Sequence, residues 1–184
     1  QKTAYEIVDC DWSSDVCSSD LMGDYDSIYT RTPDVVKHPP RFTYSMFYSK
    51  NEVLKLIDGQ YDWVISTRTD YALNVVIPFS ELNNSKLYIP NCRMVPERDF
   101  GNDQFAFSSQ ENMKKYMSTF ERIDEYYENG ANFIGENLMQ ANLRYHGLCG
   151  ENLVYVNMNN PFPPGPYNGT WHSLIRDDIE QWKK

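Results

Sequence analysis

A short apolar run flanked by polar residues is the feature that most constrains the fold of this chain. Residues 61–67 read YDWVIST, which is rich in aromatic and β-branched residues over the length of one strand, with a continuous apolar centre at 63–65. Such a centre is typical of a strand buried on both faces of a parallel or mixed sheet. The sequence therefore predicts a sheet that is covered on both sides.

Strand-like and helical segments alternate along the chain. Further strands are predicted at 86–89, 104–108 and 152–156, and residues 24–40 are interpreted as a strand fragment followed by an irregular loop. The alternation contains no internal repeat. It predicts an α/β fold with a mixed, mostly parallel sheet flanked by helices.

Two capping boxes mark predicted helix starts. Ser49 with Glu52 predicts the start of a short helix, and Ser108 with Glu111 predicts the start of the clearest helix in the chain. The apolar stripe of that second helix is interpreted as core packing. A third helix is predicted over 136–146, with acidic charge in its first turn and a glycine just past its end.

Composition excludes several classes of function. The chain has 184 residues with 41% hydrophobic content, enough for one domain with a core, and a formal net charge of −9. An acidic balance disfavours nucleic acid as a partner and a polybasic membrane patch. No run reaches the roughly 18 apolar residues of a membrane span, and no export signal is evident, so we expect a cytoplasmic protein.

The first 21 residues stand apart from the rest. Residues 11–21 read DWSSDVCSSDL, without helical or strand period, and the stretch resembles the translation of a sequencing adapter in one frame. We interpret 1–21 as an artefactual leader, with a solvated Ser/Asp linker as the alternative. Leaving out the three aspartates of the segment changes the net charge from −9 to −6. Residues 22–184 are then the domain.

A polar cluster follows the first predicted strand. Residues 66–73 read STRTDYAL, and side chains at the carboxyl end of a strand in an open α/β sheet lie where such sheets bind ligands. Asp70 there is suited to a divalent cation, and Arg68 to phosphate oxygens. An exposed ion pair in a turn is the alternative interpretation of the same letters.

Three segments in order together resemble glycosyltransferases of the GT-A fold. Residues 61–82, beginning YDWVISTRTD, resemble their metal-binding strand end; 101–108 (GNDQFAFS) resemble an acceptor-side strand; and 134–148 (IGENLMQANLRYHGL) resemble the helix that follows it. The similarity is greatest to the glycosyltransferase-like proteins of bacteria and large viruses that carry an RTRxD and NDQFA signature. It covers about residues 45–148 and implies a GT-A-like, Rossmann-like fold.

The resemblance implies a site for the donor diphosphate. Asp70 matches the last acidic residue of the DxD-type motif, which would coordinate Mn²⁺ or Mg²⁺, and Arg68 stands at the first position of that motif. Because a guanidinium neutralises a diphosphate directly, this change puts metal dependence in doubt. His172 is a candidate metal ligand near the C-terminus, with packing as the alternative.

The acceptor side follows from the other two segments. Asn102, Asp103 and Gln104 match the NDQ signature and are candidates for acceptor or donor-sugar contacts, with an Asx turn as the alternative. Asn137 matches the position of the general base, a role that an amide cannot perform, so Glu136 or Asp103 would substitute. Glu136 is equally explained as an acidic residue at a helix N-terminus.

These interpretations lead to one main functional hypothesis. It is a nucleotide-sugar-dependent glycosyltransferase that transfers a sugar to a glycan or other hydroxyl acceptor, in a domain expected to lack part of its nucleotide-binding subdomain. The alternative is a non-catalytic carbohydrate- or nucleotide-binding module of the same fold. A metal-dependent phosphoesterase would need a further carboxylate or histidine near Asp70. Retaining or inverting stereochemistry stays open.

Overall fold

A computed structural model describes residues 25–32, 39–67, 71–73, 77–90, 102–156 and 172–174, with backbone only for the two three-residue segments 71–73 and 172–174. These residues form a mixed α/β fold with helices packed on a four-stranded sheet. The helices are α1 (Tyr25–Ile28), α2 (Pro40–Leu54), α3 (Gln110–Met117), α4 (Ile123–Glu128) and α5 (Gly135–Tyr145). Single 3₁₀ segments lie at Phe79–Glu81, Ser118–Arg122 and Gly150–Asn152.

The strands belong to two separate sheets. The larger sheet has the order β1 (Val64–Thr67), β4 (Phe105–Ser108), β3 (Leu87–Pro90), β5 (Leu153–Val156). The smaller sheet pairs β2 (Tyr71–Leu73) with β6 (His172–Leu174) in antiparallel fashion. The strands predicted at 61–67, 86–89, 104–108 and 152–156 are therefore confirmed.

The prediction of a mostly parallel sheet is wrong. β4 runs antiparallel to both of its neighbours, β1 and β3, and among the described strands only β3 and β5 pair in parallel. Parallel neighbours need a crossover connection, which is usually a helix, whereas antiparallel neighbours do not. The sequence between β3 and β4 has no helical period, and this absence agrees with the antiparallel pairing.

Both faces of the larger sheet are buried, as the apolar centre of β1 predicts. Val64, Leu87 and Ala106 face the helices and belong to one core cluster with residues of α2, α3 and α5. Ile65 and Phe107 belong to a second cluster, on the other face, which also contains Trp63, Tyr88, Phe105 and Val156. Neighbouring strand residues thus alternate between two apolar environments, so a shift of one residue in register would exchange them.

Helix starts were predicted less well than strands. α2 begins at Pro40, nine residues before Ser49, because proline is well suited to the first turn of a helix. The Ser49 capping box is therefore wrong, and so is the strand fragment near residue 25, where α1 lies. Ser109, not Ser108, caps α3, and its side chain accepts a hydrogen bond from the amide of Asn112.

The remaining helical predictions hold with one change. The helix predicted over 136–146 is α5, and Gly147 past its end has a φ of 67°, a left-handed conformation that favours glycine. The apolar stripe that follows residue 110 continues through α3, a 3₁₀ segment and α4 rather than through one helix. Its methionines and Tyr116 are buried in the core, as predicted. Within the described ranges, no helix is long and apolar enough to cross a membrane.

Candidate functional site at the strand-end edge of the sheet

Four strand ends of the larger sheet meet at one edge. Thr67, the last residue of β1, pairs with Phe105, the first of β4, while the pairing of Tyr88 with Phe107 brings the end of β3 to the same edge. Pro90, which ends β3, pairs in parallel with Val156, which ends β5. The carboxyl ends of β1, β3 and β5 therefore lie beside the turn that leads into β4. This is the edge where open α/β sheets bind ligands.

The turn that enters β4 is built by its own asparagine. Oδ1 of Asn102 accepts hydrogen bonds from the amides of Gln104, at 2.9 Å, and Phe105, at 3.1 Å. This is the Asx turn that the sequence analysis named as the alternative for the NDQ segment. Tyr116 fixes the same turn from α3, because its hydroxyl donates to the carbonyl oxygen of Asn102 at 2.7 Å.

Lys50 holds the next peptide of the turn. Its side chain comes from α2, is only 4% exposed, and donates from Nζ to the carbonyl oxygen of Asp103. None of the candidate site motifs in the sequence includes this residue. The available signal is its spacing, because Lys50 lies three and four positions after Phe47 and Met46 on the buried face of one helix. That signal becomes visible only once α2 is known to begin at Pro40.

The side chain of Asp103 packs against the first residue of α5. A β carbon placed on Gly135 would lie 3.1 Å from Cγ of Asp103, and closer still to its Oδ2. A β carbon at position 135 would therefore require the Asp103 carboxylate to move. The Asp103 carboxylate thus lies at the N-terminal end of an 11-residue helix, where the helix dipole favours negative charge.

Glu136 is the second carboxylate of the site and lies in the first turn of α5. Its side chain is half-buried. Burial raises the pKa of Glu136, the negative charge of Asp103 raises it further, and a hydrogen bond from its own backbone amide partly opposes both. Asp103 and Glu136 therefore form an interacting pair. Paired carboxylates in partly desolvated settings are typical of acid–base sites, although structural pairs show the same effect.

Two of the other residues predicted from the sequence, Gln104 and Asn137, lie at this site. Gln104 stands in the turn beside Asp103, and Asn137 follows Glu136 in the first turn of α5, where it is partly buried. Arg68 and Asp70 lie outside the described residues. His172 is described by its backbone alone, which pairs with Leu73 across the smaller sheet.

No group of three or more His, Cys, Asp or Glu side chains within the described part of the chain is arranged to hold a metal ion. The two metal ligands implied by the resemblance, Asp70 and the side chain of His172, are not among the residues searched. The carboxylate pair of Asp103 and Glu136 stands without a third such ligand in that part of the chain.

A separate cavity of about 410 Å³ lies at the opposite end of α5. Lys55, Lys114, Lys115 and His146 contribute to its lining. Burial, followed by the charges of Lys115 and Arg122, lowers the pKa of His146. The three lysines lie at the C-terminal ends of α2 and α3, where cations complement the helix dipole. This cavity contains none of the residues that the sequence analysis named for the site.

Searches against protein-family models and against curated protein sequences gave no match for this chain. The fold and the site together define a mixed α/β domain with a carboxylate pair at the edge where three strands end. Any more specific function is a proposal that rests on this geometry and on the resemblance of the motifs.

Proposed function

We propose that the chain is a nucleotide-sugar-dependent glycosyltransferase-like protein that transfers a sugar to a hydroxyl acceptor. The observation that carries the proposal is the pairing of Asp103 with Glu136 at the strand-end edge. The two residues are 33 positions apart in the sequence. The resemblance of the motifs assigns both of them to the acceptor side. Their proximity supports that assignment.

Glu136 has the properties expected of a general base. A carboxylate whose pKa is raised by burial and by a neighbouring negative charge has more affinity for a proton near neutral pH than an ordinary glutamate. In the proposed reaction, Glu136 takes the proton of the acceptor hydroxyl while the acceptor oxygen bonds to the anomeric carbon. The bond from that carbon to the diphosphate breaks, and its electron pair leaves with the phosphate oxygen.

The donor side of the proposal rests on the resemblance. Arg68 and Asp70 follow β1, whose last residue lies opposite Phe105, two positions after Asp103. In the proposal they meet the diphosphate, with Asp70 and His172 as ligands of any Mn²⁺ or Mg²⁺. Such an ion would supply positive charge for the leaving group. Arg68 would supply part of that charge itself.

The polar side chains near the pair are proposed to contact the sugars. Oδ1 of Asn102 is engaged by the Asx turn, so any ligand contact of Asn102 would come from Nδ2. Gln104 and Asn137 complete the proposed acceptor or donor-sugar contacts. An asparagine at 137 cannot accept the acceptor's proton, which leaves Glu136 or Asp103 for the base role. The raised pKa of Glu136 is the reason for proposing Glu136.

The test is an assay of donor turnover by the purified chain. Release of nucleoside diphosphate is measured over a panel of nucleotide sugars with and without Mn²⁺, and donor binding is measured by calorimetry. Glu136→Gln is expected to reduce turnover by about 100-fold or more, the usual contribution of general-base catalysis, while donor binding persists. Glu111→Gln is the matched control, because Glu111 is exposed and pairs with Lys115 on α3.

The outcomes separate the candidate functions. Turnover that is lost in Glu136→Gln and kept in Glu111→Gln supports the proposal. Donor or glycan binding without turnover would instead support the non-catalytic binding module. Neither binding nor turnover over the whole panel, by a version that includes the complete nucleotide-binding subdomain, would refute both.

A further inference from the structure

A buried lysine beside a carboxylate pair needs a physical explanation. Lys50 is 4% exposed and lies on the core-facing side of α2 with Met46 and Phe47. Burying an ammonium group costs free energy unless it is paired or hydrogen-bonded. Methionine would fill a similar volume without that cost, so core packing alone does not account for lysine at this position.

The contacts of Lys50 point to the turn that carries Asp103. Its Nζ donates to the carbonyl oxygen of Asp103, and the ammonium lies 5.6 Å from the ring centroid of Tyr116 and 5.8 Å from that of Phe47. Tyr116 in turn donates to the carbonyl oxygen of Asn102. Two buried donors from two helices thus hold two consecutive peptides of one short turn.

α2 also contacts the other side of the carboxylate. Cε of Met46, one turn before Lys50, lies 3.4 Å from the position of a β carbon on Gly135. The same helix therefore packs against the N-terminus of α5 and holds the peptide of Asp103.

We propose that Lys50 is a positioning residue, which holds the peptide of Asp103 so that its carboxylate stays against Gly135 and beside Glu136. The catalytic consequence rests on the function proposed above, but the positioning itself does not. Among the described residues, Lys50 is a cation that α2 places at this turn, and Asp103 is a charged group of the turn itself. A direct effect of the Lys50 charge and an indirect effect through the position of Asp103 would shift the pKa of Glu136 in opposite directions.

The experiment is an NMR titration of the Glu136 carboxyl carbon in the full chain and its variants. If Lys50 acts only as a nearby cation, Lys50→Met removes a positive charge and raises the pKa of Glu136. If Lys50 positions Asp103, Lys50→Met lets the Asp103 carboxylate move away and lowers the pKa of Glu136. We expect the downward shift. An upward shift or no shift overturns the proposal.

Repeating the titration in an Asp103→Asn protein distinguishes movement of Asp103 from increased hydration of the whole site. Asp103→Asn removes the charge that Lys50 is proposed to position, so Lys50→Met should then cause no further downward shift. Equal downward shifts in both backgrounds would mean increased hydration of Glu136 and would overturn the proposal. Lys55→Met, at an exposed lysine just after α2, is the matched control and should leave the titration unchanged.

Two further variants keep the test decisive if Lys50→Met does not fold. Lys50→Arg keeps a charged donor and should leave the pKa of Glu136 near its wild-type value, whereas Lys50→Gln should lower it. An unchanged pKa in a folded Lys50→Gln protein, or failure of all three variants to fold, would assign Lys50 to structure alone. Given turnover, Lys50→Met should lower kcat by about 10- to 100-fold, the effect of a misplaced group. Absence of turnover in the wild type would count against the proposed function and leave the titration result valid.

Discussion

The carboxylate of Asp103 packs so closely against Gly135 that a β carbon at position 135 would displace it. The two residues are 32 positions apart, one in the turn that enters β4 and the other at the start of α5. Their contact joins the strand-end edge of the sheet to a helix N-terminus. Substitutions on either side of this junction should therefore affect one another.

Gly135→Ala is expected to destabilise the protein by about 1–3 kcal/mol, the usual cost of overpacking. Glycine to alanine in a helix ordinarily stabilises, because alanine loses less backbone entropy on folding, so the sign here is reversed by the clash with Asp103. In an Asp103→Ala background the clash is absent, and Gly135→Ala should be neutral or stabilising. Urea unfolding of the four proteins of this cycle measures the coupling, and equal destabilisation in both backgrounds would contradict it.

Glu136→Gln is expected to raise the free energy of unfolding at pH 7. The pKa of Glu136 is raised in the folded state, first by burial and then by Asp103, so the folded protein favours the protonated form. The stability linked to this group is therefore present below the unfolded pKa of about 4.3 and is lost as the pH rises through the folded value. The advantage of Glu136→Gln should accordingly disappear near pH 4.

Glu111→Gln provides a control of opposite sign for that measurement. A hydrogen bond and the charge of Lys115 lower the pKa of Glu111, so its contribution is present above the unfolded pKa and is lost as the pH falls. The Gln variant should be equally or less stable than wild type at pH 7. Urea unfolding at pH 4 and pH 7 checks both proteins, and a Glu136→Gln protein that is less stable at pH 7 would refute the prediction.

Strands were predictable from this sequence because the information is local. The apolar, aromatic and β-branched runs of β1, β3 and β4, which are buried on both faces of the sheet, are visible in a few consecutive letters. The start of α2 was missed because Pro39 and Pro40 were interpreted as loop residues, although proline is favoured in the first turn of a helix. Strand direction was missed because helix and strand patterns alone do not specify which strands become neighbours.

The candidate site was predictable only in part for the same reason. Asp103 and Glu136 were named through a resemblance of motifs, and no local pattern indicated that they would interact. The burial of Lys50 and the close approach of Asp103 to Gly135 result from tertiary packing between α2, the turn and α5. A lysine in an apolar helical stripe was the available signal, and it depended on the correct helix start.

Ser109→Ala is expected to cost about 1 kcal/mol, because the side chain of Ser109 accepts the amide hydrogen of Asn112 as the N-cap of α3. Ser109→Asp should retain most of the stability, since aspartate is also a good N-cap. Ser108→Asp should be far more destabilising, because Ser108 is fully buried and donates to the carbonyl oxygen of Lys86 at 2.7 Å. Thermal unfolding of the three variants shows which serine caps α3. A Ser108→Asp protein that is more stable than the Ser109→Ala protein would indicate that Ser108 is the cap.

Asn142 is expected to be the most sensitive polar residue of the helical layer. It is fully buried on α5, where Nδ2 donates to the carbonyl oxygens of Lys115, at 2.9 Å, and Tyr116, at 3.1 Å, and Oδ1 accepts from Tyr126 at 3.0 Å. Asn142→Leu keeps the approximate volume but leaves three buried polar groups with one partner fewer. We expect a loss of about 3 kcal/mol or more.

Tyr126→Phe tests the same network from its other end. The variant leaves Oδ1 of Asn142 without this buried donor while both bonds from Nδ2 remain, so it should cost about 1–2 kcal/mol, less than Asn142→Leu. The double variant should be more stable than the sum of the single losses predicts, because phenylalanine leaves no unpaired hydroxyl opposite the apolar side chain introduced by Asn142→Leu. Urea unfolding of wild type and the three variants gives the coupling energy. Additive losses, or an Asn142→Leu protein within about 1 kcal/mol of wild type, would show that the network contributes little to stability.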